Sequence, residues 1–257
     1  MIIFNTDLDN TIIYSYKHDI GRNKRNVELY NGREISFITE KTYELLRLLK
    51  QKMLIVPTTT RTIEQYNRID LGIGGFKYAL VCNGGVLLEN GRINREWYDE
   101  TKRLIAESRE ELYRGRILLE EERGRYFEVR CIEDMFLFTK CRDASEVVLR
   151  LEEILDTRLV RVYSNGDKVY IIPSGLKKGD AVRRFKEYTG ASEVIAAGDS
   201  EFDISMLEEA DYGLAPCGFG KMFSVRAPLN EMKEEGIFSE QLLAECIKIA
   251  AHKRMKK

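Results

Sequence analysis

Apolar runs that alternate with helix-like segments limit what this chain of 257 residues can fold into. Residues 1–6, 53–57 and 78–82 have the length and the apolar character of buried strands, and segments of helical periodicity separate them. Strands that are joined through helices pair in parallel and follow right-handed crossovers. This part of the sequence therefore predicts a parallel sheet that is covered by helices.

The middle of the sequence predicts a second domain. From residue 99 to residue 172 the segments follow the order αββαββ, which is typical of helices packed on an antiparallel sheet. The βα pattern then returns, so residues 87–172 are expected to be inserted into a core that is built from residues 1–86 and 173–257. The predicted fold class is α/β, with a Rossmann-like parallel sheet core and an inserted α+β domain.

The composition favours a protein in solution over one that binds nucleic acid or a membrane. Lys and Arg number 41 and Asp and Glu 42, so the chain has no excess of basic charge. No apolar run reaches the ~20 residues of a membrane span, and no basic leader precedes the first strand. Five scattered cysteines without CxxC spacing predict reduced thiols, and we expect a cytoplasmic location.

Polar residues cluster where the strands are expected to end. In an open parallel sheet, ligands bind at the carboxyl ends of the strands. Two acids follow the first strand, three hydroxyls and an arginine follow the second, and further acids follow the strand at 193–197, which a helix with two lysines at its start precedes. In chain order these residues are Asp7, Asp9, Thr58, Thr59, Thr60, Arg61, Lys177, Lys178, Asp199, Ser200 and Asp203.

The carboxylates in this set predict a metal site. Asp7 and Asp9 lie on the same side of an extended segment, and Asp199 and Asp203 are about one helical turn apart. Four converging carboxylates repel one another unless a cation neutralises them. Magnesium prefers oxygen ligands and commonly bridges protein carboxylates to a substrate phosphate. The sequence therefore favours Mg²⁺ as the cofactor and a phosphorylated small molecule as the partner.

The other groups in the set fit phosphoryl transfer. A transferring phosphoryl group needs positioning and positive charge, which hydroxyls, amides and a lysine supply. One carboxylate can attack phosphorus, while a second protonates the leaving oxygen and then activates water. Taken one at a time, these residues are also ordinary helix caps, turn residues and solvent-facing charges. Their occurrence together at strand ends is what indicates a function.

At this point the sequence resembles the haloacid dehalogenase superfamily, in its Cof-like and sucrose-phosphatase-like branch with a large α/β cap domain of type IIB. The segments DLDNT, IVPTTTR, LKKGDA and AAGDSEFDISML resemble the four motifs of that family. The resemblance implies a magnesium-dependent phosphatase that hydrolyses a small phosphorylated metabolite, by default a sugar phosphate, through an aspartyl-phosphate intermediate. We expect a monomer or a small homo-oligomer.

The resemblance also implies a role for individual residues. Asp7 would be the nucleophile and Asp9 the general acid and base. Thr59 would bind the phosphoryl oxygens, with Thr58 as the alternative. The other implied residues are Lys178 (with Lys177 as the weaker choice), Thr60, Arg61 and Asn83 for the substrate phosphate, Asp7, Asp9, Asp199 and Asp203 for magnesium, and Ser200 beside these ligands.

The sequence departs from the family pattern at three places. Asn10 stands where this branch more often has glycine, and Thr60 replaces the glycine of the usual TGR. Residues 14–34, called the flap from here on, are longer than the usual segment. The flap either clamps a second anionic group of the substrate or is a solvated basic loop. Its basic residues include Lys17, Arg22, Lys24 and Arg25.

Two other functions stay open from the sequence. A phosphotransferase or mutase, like the phosphomannomutases that share this type of cap, would use the same chemistry with a different acceptor. A non-catalytic sensor would bind a phosphorylated ligand without hydrolysing it. The complete set of acids argues against the sensor, because binding alone does not need a second acid beside the first.

Overall fold

The computed structural model describes residues 1–254, which form two compact units. One unit consists of Met1–Asn94 together with the chain from Lys177 onward, and the other is Arg95–Leu176. None of the helices among the described residues combines the length and the apolar character that crossing a membrane requires.

The regular elements alternate as follows. The strands are β1 (Ile2–Thr6), β2 (Tyr14–Ser15), β3 (Lys24–Tyr30), β4 (Arg33–Thr39), β5 (Leu54–Pro57), β6 (Tyr78–Val81), β7 (Val86–Glu89), β8 (Arg92–Ile93), β9 (Arg130–Ile132), β10 (Phe136–Lys140), β11 (Val160–Asn165), β12 (Lys168–Pro173), β13 (Glu193–Ala197), β14 (Tyr212–Ala215) and β15 (Leu229–Glu231). The helices are α1 (Glu40–Lys50), α2 (Ile63–Asn67), α3 (Arg95–Leu104), α4 (Arg109–Glu120), α5 (Ala144–Ile154), α6 (Lys178–Thr189), α7 (Ile204–Glu208), α8 (Phe219–Met222) and α9 (Phe238–Arg254), with 3₁₀ turns at Ala106–Ser108 and Glu201–Asp203.

The main sheet of the first unit is parallel, in the order β15-β14-β13-β1-β5. Strand β1, which lies between β13 and β5, carries Ile3 and Phe4, which are fully buried. Helix α1 begins where the hydroxyl of Thr39 accepts a hydrogen bond from the backbone N–H of Thr42 at 3.0 Å, which caps the helix. Helix α1 packs against α9 over the core. The predicted α/β class is confirmed.

A second sheet continues this unit beyond β5. The backbone at Thr58 forms a parallel bridge with Leu80 of β6, and β6, β7 and β8 then pair in antiparallel fashion. Residues 87–94, which the sequence assigns to the inserted domain, lie in the first unit, because β7 hydrogen-bonds to β6 and β8 hydrogen-bonds to β7.

The flap is built on a small antiparallel sheet, β2-β4-β3, rather than on a loop. The sequence predicts its hairpin at Asn31-Gly32, and both residues have the positive φ angles, 50° and 74°, that a tight two-residue turn requires. The β3–β4 register shifts between Asn26 and Glu28 and again between Glu28 and Leu29, so the strand bulges there.

The inserted unit packs two helices on a four-stranded antiparallel sheet of order β11-β12-β10-β9. Its core contains the buried side chains of Leu119, Leu137, Val160 and Ile171, contributed by α4 and by strands β10 to β12. The first helix of the predicted αββαββ order is divided into α3 and α4 by the 3₁₀ turn, while the ββαββ order of the remaining elements follows the prediction.

Candidate active site

The ends of β1 and β13 form the centre of the candidate site. Thr6 and Ala197 are register partners in these two parallel strands, and the N–H of Asp7 donates to the carbonyl of Ala197 at 2.9 Å. Residues that follow the two strands are therefore brought to the same edge of the sheet. The sequence prediction that the first and last acidic groups meet there is consistent with this register.

A buried ammonium group links the acids of this edge. Lys178 is 1% exposed, and its Nζ donates to Oδ1 of Asp7 at 2.6 Å and to Oδ1 of Asp203 at 2.7 Å. Lys178 is the first residue of α6, whereas Lys177 is the half-buried residue that precedes the helix. Of the two lysines, Lys178 is the one whose ammonium contacts both carboxylates.

The loop after β13 wraps around the second carboxylate. Oδ2 of Asp203 accepts hydrogen bonds from the N–H of Asp199 at 3.1 Å, and from the N–H and the hydroxyl of Ser200 at 3.0 and 2.9 Å. Gly198 makes this wrapping possible, since a Cβ there would lie 2.3 Å from Cβ of Asp203. Asp203 is completely buried and is held on both oxygens, which fixes its orientation.

The loop after β1 reaches the same acids from the other side. The hydroxyl of Thr11 donates to Oδ1 of Asp199 at 2.9 Å, and Asn10 precedes Thr11 in this loop. Asn10 has a φ angle of 57°, in the left-handed region that glycine and asparagine adopt most readily. This geometry explains why asparagine can stand where relatives more often carry glycine.

Three carboxylates of this edge could hold a cation. Ligand oxygens of Asp7, Asp199 and Asp203 all lie within 4.8 Å of one another. Burial raises the pKa of Asp7 well above its usual range, although Lys178 opposes the rise, and burial together with Asp203 raises the pKa of Asp199 to about 7. One ammonium does not balance two buried carboxylates and a half-buried one, and an all-oxygen set of this size fits a divalent ion such as Mg²⁺.

Asp9 lies outside that cluster and is held by an arginine. Arg61 donates from Nε to Oδ2 and from Nη2 to Oδ1 of Asp9, both at 2.7 Å, which is the two-pronged geometry of a strong charge-assisted pair. The side chain of Asp9 is 51% exposed and that of Arg61 is 12% exposed. The acid expected to exchange protons is therefore accessible but fixed in orientation.

Arg61 has a second carboxylate partner that the sequence did not reveal. Its Nη1 lies 2.9 Å from Oε1 of Glu28, a flap residue with a completely buried side chain. Burial alone would raise the pKa of Glu28, but its contacts with Arg61 hold that pKa below its usual value. A glutamate in a polar hairpin looks solvent-exposed in a sequence, so no pattern signals this placement.

The two threonines that the sequence left as alternatives have different hydrogen bonds. The hydroxyl of Thr58 donates to the carbonyl of Val56 at 3.2 Å and accepts from Nδ2 of Asn5 at 3.0 Å, so it is engaged with β1 and β5. The hydroxyl of Thr59 accepts from the N–H of Arg61 at 3.1 Å. The carbonyl of Thr59 in turn accepts from the N–H of Asn83 at 2.9 Å, which joins the loops after β5 and β6.

Two of the basic flap residues have partners within the first unit. Arg25 donates to both carboxylate oxygens of Glu40, at 3.2 and 2.8 Å, and stacks 3.7 Å above the ring of Tyr43. The ammonium of Lys24 lies 4.6 Å from the ring centre of Phe37. The contacts of Arg25 tie part of the flap to α1, whereas that of Lys24 lies within the flap sheet.

Comparisons with known proteins give a consistent family. The sequence model described as haloacid dehalogenase-like hydrolase matches residues 27–215, and no curated protein sequence matches significantly. Among solved structures, the sucrose-phosphatase of Synechocystis sp. PCC6803 is 14% identical with a TM-score of 0.64, and the alignment covers 98% of each chain.

Two further structures share this fold over almost their whole length. A subclass IIB sugar phosphatase has 13% identity and a TM-score of 0.62, with 97% of this chain and 99% of that chain covered. The trehalose-6-phosphate phosphatase of Aspergillus fumigatus has 13% identity and a TM-score of 0.52, with 98% and 92% covered. At such low identity these likenesses establish the shared fold alone.

Proposed function

This chain belongs to the haloacid dehalogenase-like hydrolases, which confirms the expected phosphatase class of enzyme at the level of the family, and on that premise we propose a magnesium-dependent phosphatase of small phosphorylated metabolites. The observation that carries the proposal is the convergence of Asp7, Asp199 and Asp203 around Lys178, at the carboxyl ends of adjacent parallel strands. Carboxylates for a cation and a fixed ammonium are the groups that phosphoryl transfer requires.

In the proposed first step, a carboxylate oxygen of Asp7 attacks phosphorus. The new O–P bond forms as the ester P–O bond breaks, and the leaving oxygen takes a proton from Asp9, which enters this step as the protonated carboxyl and leaves it as the carboxylate. The product is an aspartyl phosphate on Asp7 and a free alcohol. Lys178 supports this step by holding the attacking carboxylate in place with its 2.6 Å hydrogen bond.

In the proposed second step, water replaces the protein on phosphorus. Asp9, now a carboxylate, takes a proton from the water as its oxygen bonds to phosphorus, and the bond between phosphorus and Asp7 breaks to release phosphate. The half-exposed side chain of Asp9 suits exchange with both an alcohol and water. Asp7, Asp199 and Asp203, with the main-chain carbonyl of Asp9, would hold Mg²⁺, which supplies positive charge for the phosphoryl oxygens.

The phosphate-binding side chains are part of the same proposal. We place Thr59 ahead of Thr58, because the hydroxyl of Thr58 both donates and accepts within the sheet. Asn83 and Thr60 border the same loops. Arg61 acts on phosphate only if it leaves Asp9, to which it is bound by two hydrogen bonds.

The proposal also covers the substrate class, the location and the oligomeric state. A sugar phosphate is the proposed substrate because solved structures of this fold include a sucrose-phosphatase and a sugar phosphatase. We also propose a cytoplasmic location, in keeping with five cysteines that are all free, and a monomer or small homo-oligomer.

Phosphate release from p-nitrophenyl phosphate and from a panel of sugar phosphates tests the proposal, with Mg²⁺ or with EDTA. We expect release that needs Mg²⁺ and that disappears in Asp7→Asn. Asp143→Asn is the matched control, since Asp143 caps α5 by accepting from the N–H of Glu146 at 3.1 Å and asparagine keeps that bond. Undiminished activity in Asp7→Asn would refute the assignment of the nucleophile.

The same assay distinguishes the two other functions. A phosphotransferase or mutase would move the phosphoryl group to a sugar hydroxyl and release little free phosphate. A sensor would bind phosphorylated ligands in the presence of Mg²⁺ without turning them over. Either outcome with a well-folded wild-type protein would replace the phosphatase proposal.

A further inference from the structure

The flap contributes a buried charge to the neighbourhood of the candidate site. Glu28 is 1% exposed, and a carboxylate in such a position must be paired, because desolvation of an isolated charge is very costly. Oε1 of Glu28 lies 2.9 Å from Nη1 of Arg61 and 3.3 Å from Nε of Arg68, and its Oε2 accepts from the hydroxyl of Ser36 at 2.7 Å. The buried carboxylate of Glu28 therefore has two arginines and a serine hydroxyl of the first unit as partners.

A bulge in the flap sheet turns Glu28 inward. Successive residues of a regular strand face opposite sides of the sheet, yet Val27 and Glu28 are both buried, at 3% and 1% exposure. The register shifts on either side of Glu28 break that alternation, which is a known way of re-aiming a side chain. A backbone bridge between Glu28 and Ile69 then fixes this point of the flap to the chain that follows α2.

Arg61 links the position of Glu28 to the orientation of Asp9, because it contacts both carboxylates. The guanidinium is planar and its donors have fixed directions, so contacts on one side constrain the other. Nη1 meets Glu28 and the carbonyl of Gln65, at 2.9 and 3.3 Å, while Nε and Nη2 meet Asp9. Asp9, Arg61, Glu28 and Arg68 form a chain of alternating charges with no net charge.

We propose that Glu28 is a positioning residue for the reaction: it holds the plane of Arg61 so that the carboxylate of Asp9 faces the leaving oxygen. This proposal rests on the proposed function, because it takes Asp9 as the general acid. Without the carboxylate of Glu28, Arg61 keeps Asp9 and the 3.3 Å contact with the carbonyl of Gln65 but loses its second carboxylate partner, so the plane of Arg61 and the orientation of Asp9 are both less fixed. Glu28 does not need to touch the substrate to have this effect.

The leaving group of the substrate separates positioning from general support of the fold. A p-nitrophenolate leaves without a proton, whereas an alkoxide must be protonated as it leaves. Comparing kcat/KM for p-nitrophenyl phosphate with kcat/KM for an alkyl phosphate therefore reports on the general acid. Substitution of a residue with only a structural role would lower kcat/KM for both substrates by the same factor.

The test compares Glu28→Gln with wild type on both substrates in the presence of Mg²⁺. General acid catalysis contributes about 10²–10⁴-fold, so we expect a misplaced acid to lower kcat/KM for the alkyl phosphate by roughly ten- to a hundredfold and that for p-nitrophenyl phosphate much less. Glu28→Asp keeps the charge and should recover part of the loss. Glu40→Gln is the matched control, since it removes a glutamate from the Arg25 pair without touching Arg61.

Arg61→Lys covers the case in which Glu28→Gln does not fold. It keeps the positive charge but loses the two-pronged contact with Asp9, so the same dependence on leaving group is expected. Equal losses on both substrates in either variant, or no loss in Glu28→Gln, would overturn the positioning role. The proposed function would survive such a result if wild type still hydrolyses both esters with Mg²⁺ and Asp7→Asn does not; an inactive wild type would instead overturn the function itself.

Discussion

The buried ammonium of Lys178 allows one prediction to be worked through from the structure. Its Nζ lies 2.6 Å from Asp7 and 2.7 Å from Asp203, and at an effective dielectric constant of about 20 each attraction is at most ~6 kcal/mol. Much of this offsets the cost of burying the three charges. Removing one member of a buried ion pair usually costs about 3–5 kcal/mol, because the remaining charges stay buried without a partner.

We therefore expect Lys178→Met to lower the stability of the metal-free protein by about 3–5 kcal/mol, or roughly 6–20 °C in the midpoint of thermal unfolding. The loss should be largest near pH 8 and smaller near pH 5, because the carboxylates without a cation take up protons as the pH falls. Mg²⁺ should restore part of the lost stability. Lys186→Met is the control: this lysine pairs with Asp211 at 3.3 Å on the surface of the same helix and should matter little.

Thermal unfolding of both variants, followed at two pH values with EDTA or with Mg²⁺, measures these effects. A loss of stability in Lys178→Met that is the same at both pH values and unchanged by Mg²⁺ would refute the reasoning, since it would mean that the lysine contributes packing rather than charge. A similar loss in Lys186→Met would refute it as well.

Three further predictions concern the same edge of the sheet. The pKa of Asp199 is raised from 3.8 to about 7, so its contribution to metal-free stability is full below about pH 4 and is lost as the pH rises through 7. Between pH 5 and 7.5 the midpoint of thermal unfolding in EDTA should therefore fall more in wild type than in Asp199→Asn. An equal change of the midpoint with pH in both proteins would contradict this. Gly198→Ala would place a Cβ 2.3 Å from that of Asp203, so we expect a destabilisation of about 1–3 kcal/mol and weaker Mg²⁺ binding by calorimetry; wild-type affinity would show that the loop adapts. Thr59→Val should raise KM for phosphate esters, whereas Thr58→Val should mainly lower stability. The opposite result would assign the phosphate-binding hydroxyl to Thr58 instead of Thr59.

The positions of the acids could be predicted from the sequence because they depend on topology. Once the strands alternate with helices, Asp7 and Asp199 must follow neighbouring parallel strands, and the register of β1 with β13 brings them together. The choice of Lys178 depends only on where α6 begins, which a lysine pair before an amphipathic segment leaves uncertain by one residue. These features follow from local patterns.

The contacts of Asp9 could not be predicted in the same way. The pairing of Asp9 with Arg61 depends on how the loop after β5 turns, and the role of Glu28 depends on a bulge that reverses the normal alternation of a strand. A bulge leaves no periodic signal, and a charged residue in a hairpin is usually exposed. The boundary between the two units could not be predicted from local pattern either, since it depends on β7 pairing with β6 rather than with strands of the inserted unit.

The bulge at Glu28 also bears on how proteins of this kind can exchange parts. A flap with a regular hairpin, transplanted from a relative, would turn the carboxylate at this position to solvent, and Arg61 and Arg68 would each lose an acidic partner. Recombination, whether in a genome or in the laboratory, would therefore have to move the flap together with the segment that carries both arginines. The two stretches are separate in the chain but must be inherited as one module.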